Sequence, residues 1–389
     1  MITAIKNGRV ILEDKIADNL NVYIKDDRIC AVTEDSLECD AVIDAAGMYV
    51  SPGFIDLHSH GGNDFDFADM TVEAFIEPAK LHAKHGTTTL YPTLTSVSTE
   101  TMKKSIECFK EAVTRNTDGA KMPGIHLEGP YFAEAHKGAQ ESRFIHDFDE
   151  KEYNEIISIA DGCLKRWSAA PELKGFDGFA EAAAKHGILA SIGHSDADFS
   201  CAEDALKKGF THITHLYSCM STVHRKNAYR YGGIVEAAYL FDGMTVEIIA
   251  DGCHLPPELL KLIYKIKGAD SIALVTDSIR GAGMPEGESV LGSKDNGLRV
   301  IIEDGVAKLP DRTAFAGSVA TFDRLVRTMI TLGDVPLVDA IKMASTTPAK
   351  IMKLEKTGSI KEGYFADIIL FDEDINIQKT IINGRINNG

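Results

Sequence analysis

The middle of the chain alternates short apolar runs with amphipathic stretches, and no other feature constrains its fold as strongly. Between about residues 52 and 345, eight apolar runs of four to six residues are separated by segments with helix-like patterning. Buried runs that alternate with amphipathic helices are typical of parallel strands joined by right-handed crossovers. The predicted strands cover 53–57, 88–91, 124–127, 164–169, 187–192, 211–215, 245–249 and 271–275.

The segments between these runs complete the pattern of a (β/α)8 barrel. Helices are predicted at 72–85, 99–116, 176–185, 202–208 and 257–266. An open, doubly wound α/β sheet would show the same alternation, so periodicity leaves that alternative open. No GxGxxG sequence follows an early strand, which argues against a dinucleotide-binding sheet. We therefore expect an α/β fold in which residues 52–345 form a TIM-like barrel.

The two ends of the chain have a different pattern. Residues 1–51 and 346–389 contain short apolar runs interrupted by turn sequences such as Asn7-Gly8 and Asn383-Gly384, which predicts short strands. Neither segment is long enough to enclose a hydrophobic core by itself. We expect the two ends to pair in one small β-sandwich domain, with the barrel inserted between them.

The chain of 389 residues is strongly acidic. It has 41 Lys and Arg against 58 Asp and Glu, a formal net charge of −17, so nucleic acid is not an expected partner. No apolar run approaches the ~20 residues that span a bilayer, and the first residues do not resemble a signal peptide. The seven cysteines are scattered and never form CxxC, which fits reduced thiols. These features predict a cytoplasmic protein without a membrane partner.

Two histidines at the end of the first predicted strand have a spacing that suits a metal ion. His58 and His60 lie at positions i and i+2, and alternate residues of a strand point to the same side. The carboxyl ends of barrel strands meet at one mouth, where barrel enzymes carry out their chemistry. We therefore expect both imidazoles to face that mouth as metal ligands.

Four further polar residues stand at the ends of other predicted strands. Chance explains any one of them easily, but it poorly explains the whole set. Imidazole and carboxylate are natural ligands of Zn²⁺, and they also bind Mn²⁺, Fe²⁺ and Co²⁺. The pattern predicts a divalent metal site with Zn²⁺ as the first choice. The four residues are Glu128, His194, His215 and Asp277.

Such a site predicts metal-assisted hydrolysis of an amide or similar bond, because a catalytic metal keeps a position open for water. Asp277 would accept the proton of that water and pass it to the leaving group. His126 shares a strand face with Glu128, and the sequence leaves open whether it supports the site or packs in the core. His212 lies three residues before His215 and should face the other way, as a structural residue.

These residues resemble the amidohydrolase superfamily, and the resemblance covers nearly the whole chain. The sequence from Ser51 to His60 is similar to the first barrel strand of that superfamily. Within the superfamily, five further motifs are similar to those of the N-acetylglucosamine-6-phosphate deacetylases. These are His126-Leu127-Glu128-Gly129-Pro130, Gly193-His194-Ser195, Thr214-His215-Leu216-Tyr217, Ala250-Asp251-Gly252-Cys253-His254 and Val275-Thr276-Asp277.

The resemblance implies a role for each matching residue. Glu128, with His194 and His215, would hold the main metal ion. His58 and His60 would hold a second ion, with Glu128 bridging the two. Each subunit would therefore bind one or two metal ions. Asp277 would act as base and then as acid, and His254 would contact the sugar or its reacting carbonyl. The implied reaction converts N-acetylglucosamine 6-phosphate to glucosamine 6-phosphate and acetate. The implied assembly is a homodimer in which the partner subunit supplies a phosphate-binding arginine.

The sequence departs from the family at three positions expected to contact the substrate. Gln140 stands where the family usually has histidine, and Ser218 and Cys219 stand where it usually has Asn and Ala. These departures keep open a different N-acyl substrate, such as N-acetylgalactosamine 6-phosphate or an unphosphorylated N-acetyl sugar. A non-enzymatic scaffold is disfavoured because every expected ligand and the base are present.

A basic segment at 224–230 offers two candidates for binding phosphate. Arg225 and Arg230 carry guanidinium groups, which suit bidentate recognition of phosphate. The alternative for this segment is a solvated basic loop.

Overall fold

An eight-stranded parallel barrel occupies the centre of the molecule in the computed structural model, which describes residues 1–387. Its strands pair in chain order, as expected when each crossover returns beside the previous strand. The last strand closes on the first, because the Asp277 N–H donates to the His58 carbonyl at 2.8 Å. The predicted (β/α)8 class is therefore confirmed. The strands are Phe54–Ser59, Thr87–Leu94, Ile125–Glu128, Leu164–Ala169, Leu189–Ile192, His212–Ile213, Thr245–Ile249 and Ile272–Val275.

Helices cover the outside of the barrel and begin at residues that cap them. Ser98 accepts a hydrogen bond from the Thr101 N–H, and Asp198 accepts one from the Cys201 N–H, which satisfies donors that a helix leaves unpaired. The α-helices are Glu73–Lys84, Thr99–Arg115, Glu150–Ala160, Phe176–Lys185, Phe199–Lys207, Ile234–Leu240, Pro257–Lys267, Phe322–Thr331, Leu337–Ala344 and Thr346–Ile351. Short 3-10 turns lie at Phe67–Asp69, Glu134–His136, Ser142–Phe144 and Ala269–Ser271. None of these helices is long and apolar enough to cross a membrane.

Both chain ends contribute strands to one six-stranded sheet. Tyr49–Pro52 pairs with Ile368–Phe371 in antiparallel register. A second, four-stranded sheet packs on the first through a shared apolar cluster that includes Ile5, Val22 and Leu370, which is the arrangement of a β-sandwich. The first sheet consists of Arg9–Ile11, Ile16–Ala17, Tyr49–Pro52, Ile368–Phe371, Ile377–Ile382 and Arg385–Asn387, and the second of Ile2–Lys6, Asn21–Lys25, Arg28–Thr33 and Ala41–Asp44.

The domain boundaries at 51/52 and 345/346 stay a prediction. Helix Thr346–Ile351 lies just beyond the second boundary, and its Ala349 belongs to the same apolar cluster as Ile55 and Val275 of the barrel. This packing favours grouping the helix with the barrel.

Smaller antiparallel elements lie outside the barrel sheet, and the sequence pattern did not predict them. A four-stranded sheet follows the eighth barrel strand, and a hairpin follows the sixth. The sheet comprises Gly287–Leu291, Leu298–Glu303, Val306–Lys308 and Phe315–Ser318, the hairpin comprises His224–Lys226 and Tyr229–Tyr231, and a short pair joins Gly61–Gly62 to Phe65–Asp66. The predicted strand at 211–215 is shorter than expected, because the chain leaves the sheet after Ile213.

Candidate active site

The carboxyl ends of the barrel strands open into a cavity of about 200 Å³. His194, His215 and Asp277 leave their strands with φ angles of 48°, 27° and 48°. This left-handed conformation is unfavourable for residues with a Cβ and is found preferentially at functional sites. The lining includes His60, Glu128, Gln140, His194, His215, Ser218, Cys219, His254, Asp277 and Phe315.

One cluster in this cavity combines a carboxylate with two imidazoles. The Glu128 Oε1 atom lies 2.9 Å from the Nε2 atom of His215 and 3.1 Å from the Nε2 atom of His194. The two Nε2 atoms are 3.2 Å apart. All three ligand atoms are buried and lie within 4.8 Å of one another. A single cation placed among them would contact three donors.

A second cluster lies beside the first and shares Glu128 with it. The His60 Nε2 atom is 3.2 Å from the His58 Nε2 atom and 3.1 Å from the Asp277 Oδ1 atom. Glu128 stands between the clusters, with Oε1 at 3.5 Å from His58 Nε2 and Oε2 at 3.4 Å from His60 Nε2. The structure therefore brings together the five predicted metal ligands and the predicted base.

Hydrogen bonds on the far side of the rings orient three of the candidate metal-ligating histidines. The Nδ1 atom of His58 faces the Glu247 carboxylate at 2.8 Å, that of His60 faces the Thr93 carbonyl at 3.2 Å, and that of His194 faces the His136 carbonyl at 2.9 Å. These partners accept hydrogen bonds, so each Nδ1 carries a proton, and Nε2 is the ring atom left to bind a cation through its lone pair in the neutral ring. Converging lone pairs and two carboxylates fit a divalent cation such as Zn²⁺.

A buried ion pair beneath the clusters was missed by the sequence analysis. Glu247 and Arg166 are fully buried, and the Arg166 Nη1 atom donates to Glu247 Oε2 at 2.5 Å. Glu247 Oε1 accepts from His58 Nδ1 and from the His215 N–H at 3.0 Å. One carboxylate thus positions a histidine of each cluster. A charged residue in the middle of an otherwise apolar barrel strand was the available signal.

His126 and His212 are both buried within the barrel. The ring of His126 packs edge-on against His58 at 4.7 Å, and its Nε2 atom hydrogen-bonds to Ser168 Oγ at 2.7 Å. Burial, with the charge of Arg166, holds the pKa of His126 well below its usual range. His212 Nδ1 lies 2.7 Å from Thr245 Oγ1. Both residues therefore act as neutral neighbours of the site.

The two carboxylates of the site are held in their charged form. Burial by itself would raise the pKa of Glu128, but His58 and His194 outweigh it and hold that pKa well below its usual range. Burial also opposes ionisation of Asp277, yet His58 and His60 lower its pKa. Charged carboxylates supply the negative charge that a divalent cation requires.

The other predicted pocket residues divide into two groups. His254 lines the cavity, with its Nδ1 atom 2.8 Å from Asp251 Oδ2, and Ser218 and Cys219 form the wall beside His194. Gln140 is also at the cavity, but its amide hydrogen-bonds to Glu128. Phe315, which the sequence analysis did not single out, packs 4.7 Å from the His254 ring.

Arg225 and Arg230 are not in the cavity of their own chain. They lie opposite each other in the exposed hairpin. The cavity lining within the described residues contains no lysine and no arginine.

A wider groove of about 1360 Å³ lies elsewhere on the surface. Its lining includes Lys121, Phe365 and Arg385 but none of the clustered histidines or carboxylates. Size alone therefore does not identify the site, and we assign the chemistry to the smaller cavity.

Comparison with known proteins agrees with this geometry. Residues 49–386 match the amidohydrolase family. The N-acetylglucosamine-6-phosphate deacetylase of Lysinibacillus sphaericus is 31% identical over 98% of this chain and 97% of its own length. The crystal structure of the enzyme of that name from Pasteurella multocida matches with a TM-score of 0.92 and 27% identity over 99% of both chains. That from Thermotoga maritima matches with a TM-score of 0.87 and 31% identity over 99% of both chains.

Proposed function

Because the chain belongs to the amidohydrolase family, we propose that it removes the acetyl group from N-acetylglucosamine 6-phosphate. The chain is an amide-hydrolysing enzyme of a metal-dependent family. Its similarity to N-acetylglucosamine-6-phosphate deacetylases extends over nearly its full length. The products of this reaction are glucosamine 6-phosphate and acetate.

One observation carries the proposal: two clusters that could each hold a metal ion lie on either side of Glu128 at the mouth of the barrel. Glu128, His194 and His215 would hold one divalent ion, most simply Zn²⁺, and His58 with His60 would hold a second. A bound ion at such a site polarises a carbonyl and lowers the pKa of water. The number and identity of the ions are part of the proposal.

Asp277 is proposed as the residue that moves the proton. Its carboxylate borders the cavity and is charged, so it can accept a proton from the attacking water. The water oxygen forms a bond to the acetyl carbon, and the bond from that carbon to nitrogen breaks. Asp277 then returns the proton to the leaving nitrogen, which gives a neutral amine and acetic acid. The acetic acid releases its remaining proton near neutral pH, so the final products are acetate and a protonated amine.

His254 is proposed to stabilise negative charge on the substrate. Burial would raise the pKa of Asp251, but its hydrogen bonds with His254 lower it to about 2. The Asp251 carboxylate holds the His254 ring through Nδ1 and leaves Nε2 as the atom that can reach the substrate, where an N–H would donate to an oxyanion or a phosphate. Ser218 and Cys219 would contact the sugar from the opposite wall.

The phosphate needs a cation that the cavity of one chain lacks among its described lining residues. We therefore propose a homodimer in which Arg225 or Arg230 of one subunit reaches the cavity of the other. Both arginines are exposed on one hairpin and are free to do so. The free cysteines of the described chain fit the cytoplasm as its compartment.

The decisive experiment measures acetate release by the zinc-loaded protein from three substrates. N-acetylglucosamine 6-phosphate should exceed both N-acetylglucosamine and N-acetylgalactosamine 6-phosphate in kcat/KM by about a hundredfold, which is roughly 2.7 kcal/mol of transition-state preference. An Asp277→Asn preparation controls for contaminating hydrolases. Equal or higher kcat/KM for another substrate would contradict the proposed substrate while leaving the amide chemistry in place.

A further inference from the structure

Gln140 is placed where it can act on a proposed metal ligand. It is 6% exposed, and its side-chain amide makes three short hydrogen bonds. Oε1 accepts from Thr95 Oγ1 at 2.7 Å and from the Ser96 N–H at 2.8 Å, and Nε2 donates to Glu128 Oε2 at 2.7 Å. This buried amide is held firmly, because its oxygen and its nitrogen both have partners and loss of the single bond from Nε2 would leave that donor group unpaired.

The orientation of this amide is fixed by chemistry. A backbone N–H can only donate, so the atom of Gln140 that faces Ser96 must be the carbonyl oxygen. The NH₂ group therefore faces Glu128 Oε2, and this oxygen accepts its hydrogen bond. If the amide were flipped, its NH₂ group would face the Ser96 N–H and its oxygen would face the Glu128 carboxylate, and both contacts would be repulsive.

The contact divides the two oxygens of Glu128 between different tasks. Oε2 receives the Gln140 N–H, and Oε1 faces the Nε2 atoms of His194 and His215. Rotation of the carboxylate about its own bond would break the bond to Gln140. Oε1 is thereby held toward the first cluster.

We propose that Gln140 is a positioning residue that fixes Glu128 for metal binding, and that it does not read the sugar. Thr95 and Ser96 anchor Gln140, and Gln140 in turn anchors Glu128. This inference rests on the proposed metal-dependent function. A neutral histidine ring has a single acceptor lone pair, so it could not accept from both Thr95 Oγ1 and the Ser96 N–H as the Gln140 oxygen does.

The test measures zinc affinity without any sugar. Apo protein prepared with a chelator is titrated with Zn²⁺ in competition with a chromophoric zinc indicator. In Gln140→Leu, the tightest zinc dissociation constant should rise by about 10–100-fold, as expected when a partner of a metal ligand is lost. Thr95→Val should raise it less, because the Ser96 N–H still holds the amide oxygen.

Ser218→Ala is the matched control, because Ser218 lines the same cavity without a side-chain hydrogen bond to Glu128. Its zinc affinity should equal that of the unaltered protein. At saturating zinc, the KM of Gln140→Leu for N-acetylglucosamine 6-phosphate should stay within about twofold of the unaltered value, since a residue that does not touch the sugar contributes no ground-state binding.

Unchanged zinc affinity together with a raised KM would overturn the proposal and make Gln140 a sugar contact. If Gln140→Leu does not fold, Thr95→Val decides, and an unchanged zinc affinity in that variant overturns the proposal too. The titration needs no turnover. Failure of the sugar phosphate to react would therefore refute the proposed substrate without affecting this result.

Discussion

The backbone and the side chain of Asp277 serve two different parts of the structure. Its backbone N–H closes the barrel against His58, and its carboxylate faces His60 in the second cluster. The hydrogen bond that closes the barrel restricts the backbone of Asp277 and so limits where its carboxylate can lie. A fixed carboxylate position favours proton transfer.

Replacement of Asp277 by Asn should remove turnover and retain most of the bound metal. The amide cannot accept a proton, so we expect kcat to fall by about 10²–10⁴-fold. The cluster of Glu128, His194 and His215 is unaltered and should still bind zinc. Steady-state kinetics and elemental analysis of the purified variant check both parts. Near-normal kcat would show that another group takes the proton.

The buried pair of Arg166 and Glu247 should be strongly coupled. Arg166 is fully buried, so Glu247→Gln leaves an uncompensated charge, and we expect a loss of about 3–5 kcal/mol in the free energy of unfolding. Arg166→Met should cost a similar amount, whereas the double variant should cost clearly less than the sum. Urea unfolding of the four metal-free proteins measures the coupling, and additive costs would contradict it.

At the scale of elements, the residues at the strand ends were predictable because two separate features of the fold locate them. An apolar run of fixed length identifies a parallel strand, and the barrel geometry then places whatever follows it at one mouth. Two of the predicted strands match Leu164–Ala169 and Thr245–Ile249 without a shift. Glu128, His194, His215 and Asp277 are brought together for this reason.

Contacts between side chains in the middle of different strands could not be predicted in the same way. Which residues of different strands meet depends on register and on the stagger of the closed barrel, so the pairing of Arg166 with Glu247 follows only from the structure. The sheet at 287–318 was missed although Asp304-Gly305, with φ angles of 55° and 70°, forms a typical hairpin turn. Once eight runs were assigned to the barrel, this local signal had no place in the predicted fold.

The two arginines of the exposed hairpin are expected to affect substrate binding and not metal binding. Arg225 and Arg230 are paired across the hairpin and share one face, while Lys226 is on the other. Replacing both arginines by Ala should raise KM for the phosphorylated sugar by roughly tenfold or more, since a charged contact of about 1.5–3 kcal/mol is lost. Metal content should not change. Lys226→Ala is the matched control and should leave KM unaltered.

The proposed exchange of arginines between subunits is tested by complementation. Asp277→Asn keeps its hairpin, whereas the double arginine variant keeps its catalytic residues. Co-expression of the two should produce mixed dimers in which one complete site is restored. Activity no higher than the sum of the separate variants would place the phosphate contact within one chain.

At the scale of the whole molecule, the candidate site joins parts of the chain that are far apart in sequence. The two clusters draw on the first, third, fifth, sixth and eighth barrel strands. The sandwich fastens the start and the end of the same chain, because Tyr49–Pro52 pairs with Ile368–Phe371. A cation in the clusters would therefore link strands across the barrel as well as take part in chemistry.

Removal of the metal should consequently lower the stability of the entire chain. An ion that binds only the folded state adds about 2.7 kcal/mol when present at a hundred times its dissociation constant. Protein dialysed against a chelator should show a Tm several degrees lower, with recovery of Tm and activity when Zn²⁺ is restored. Mg²⁺ is the control ion, because it prefers oxygen ligands and octahedral geometry and should restore little. Equal Tm values for the metal-free and zinc-loaded protein would mean that the clusters do not hold an ion tightly in the folded state.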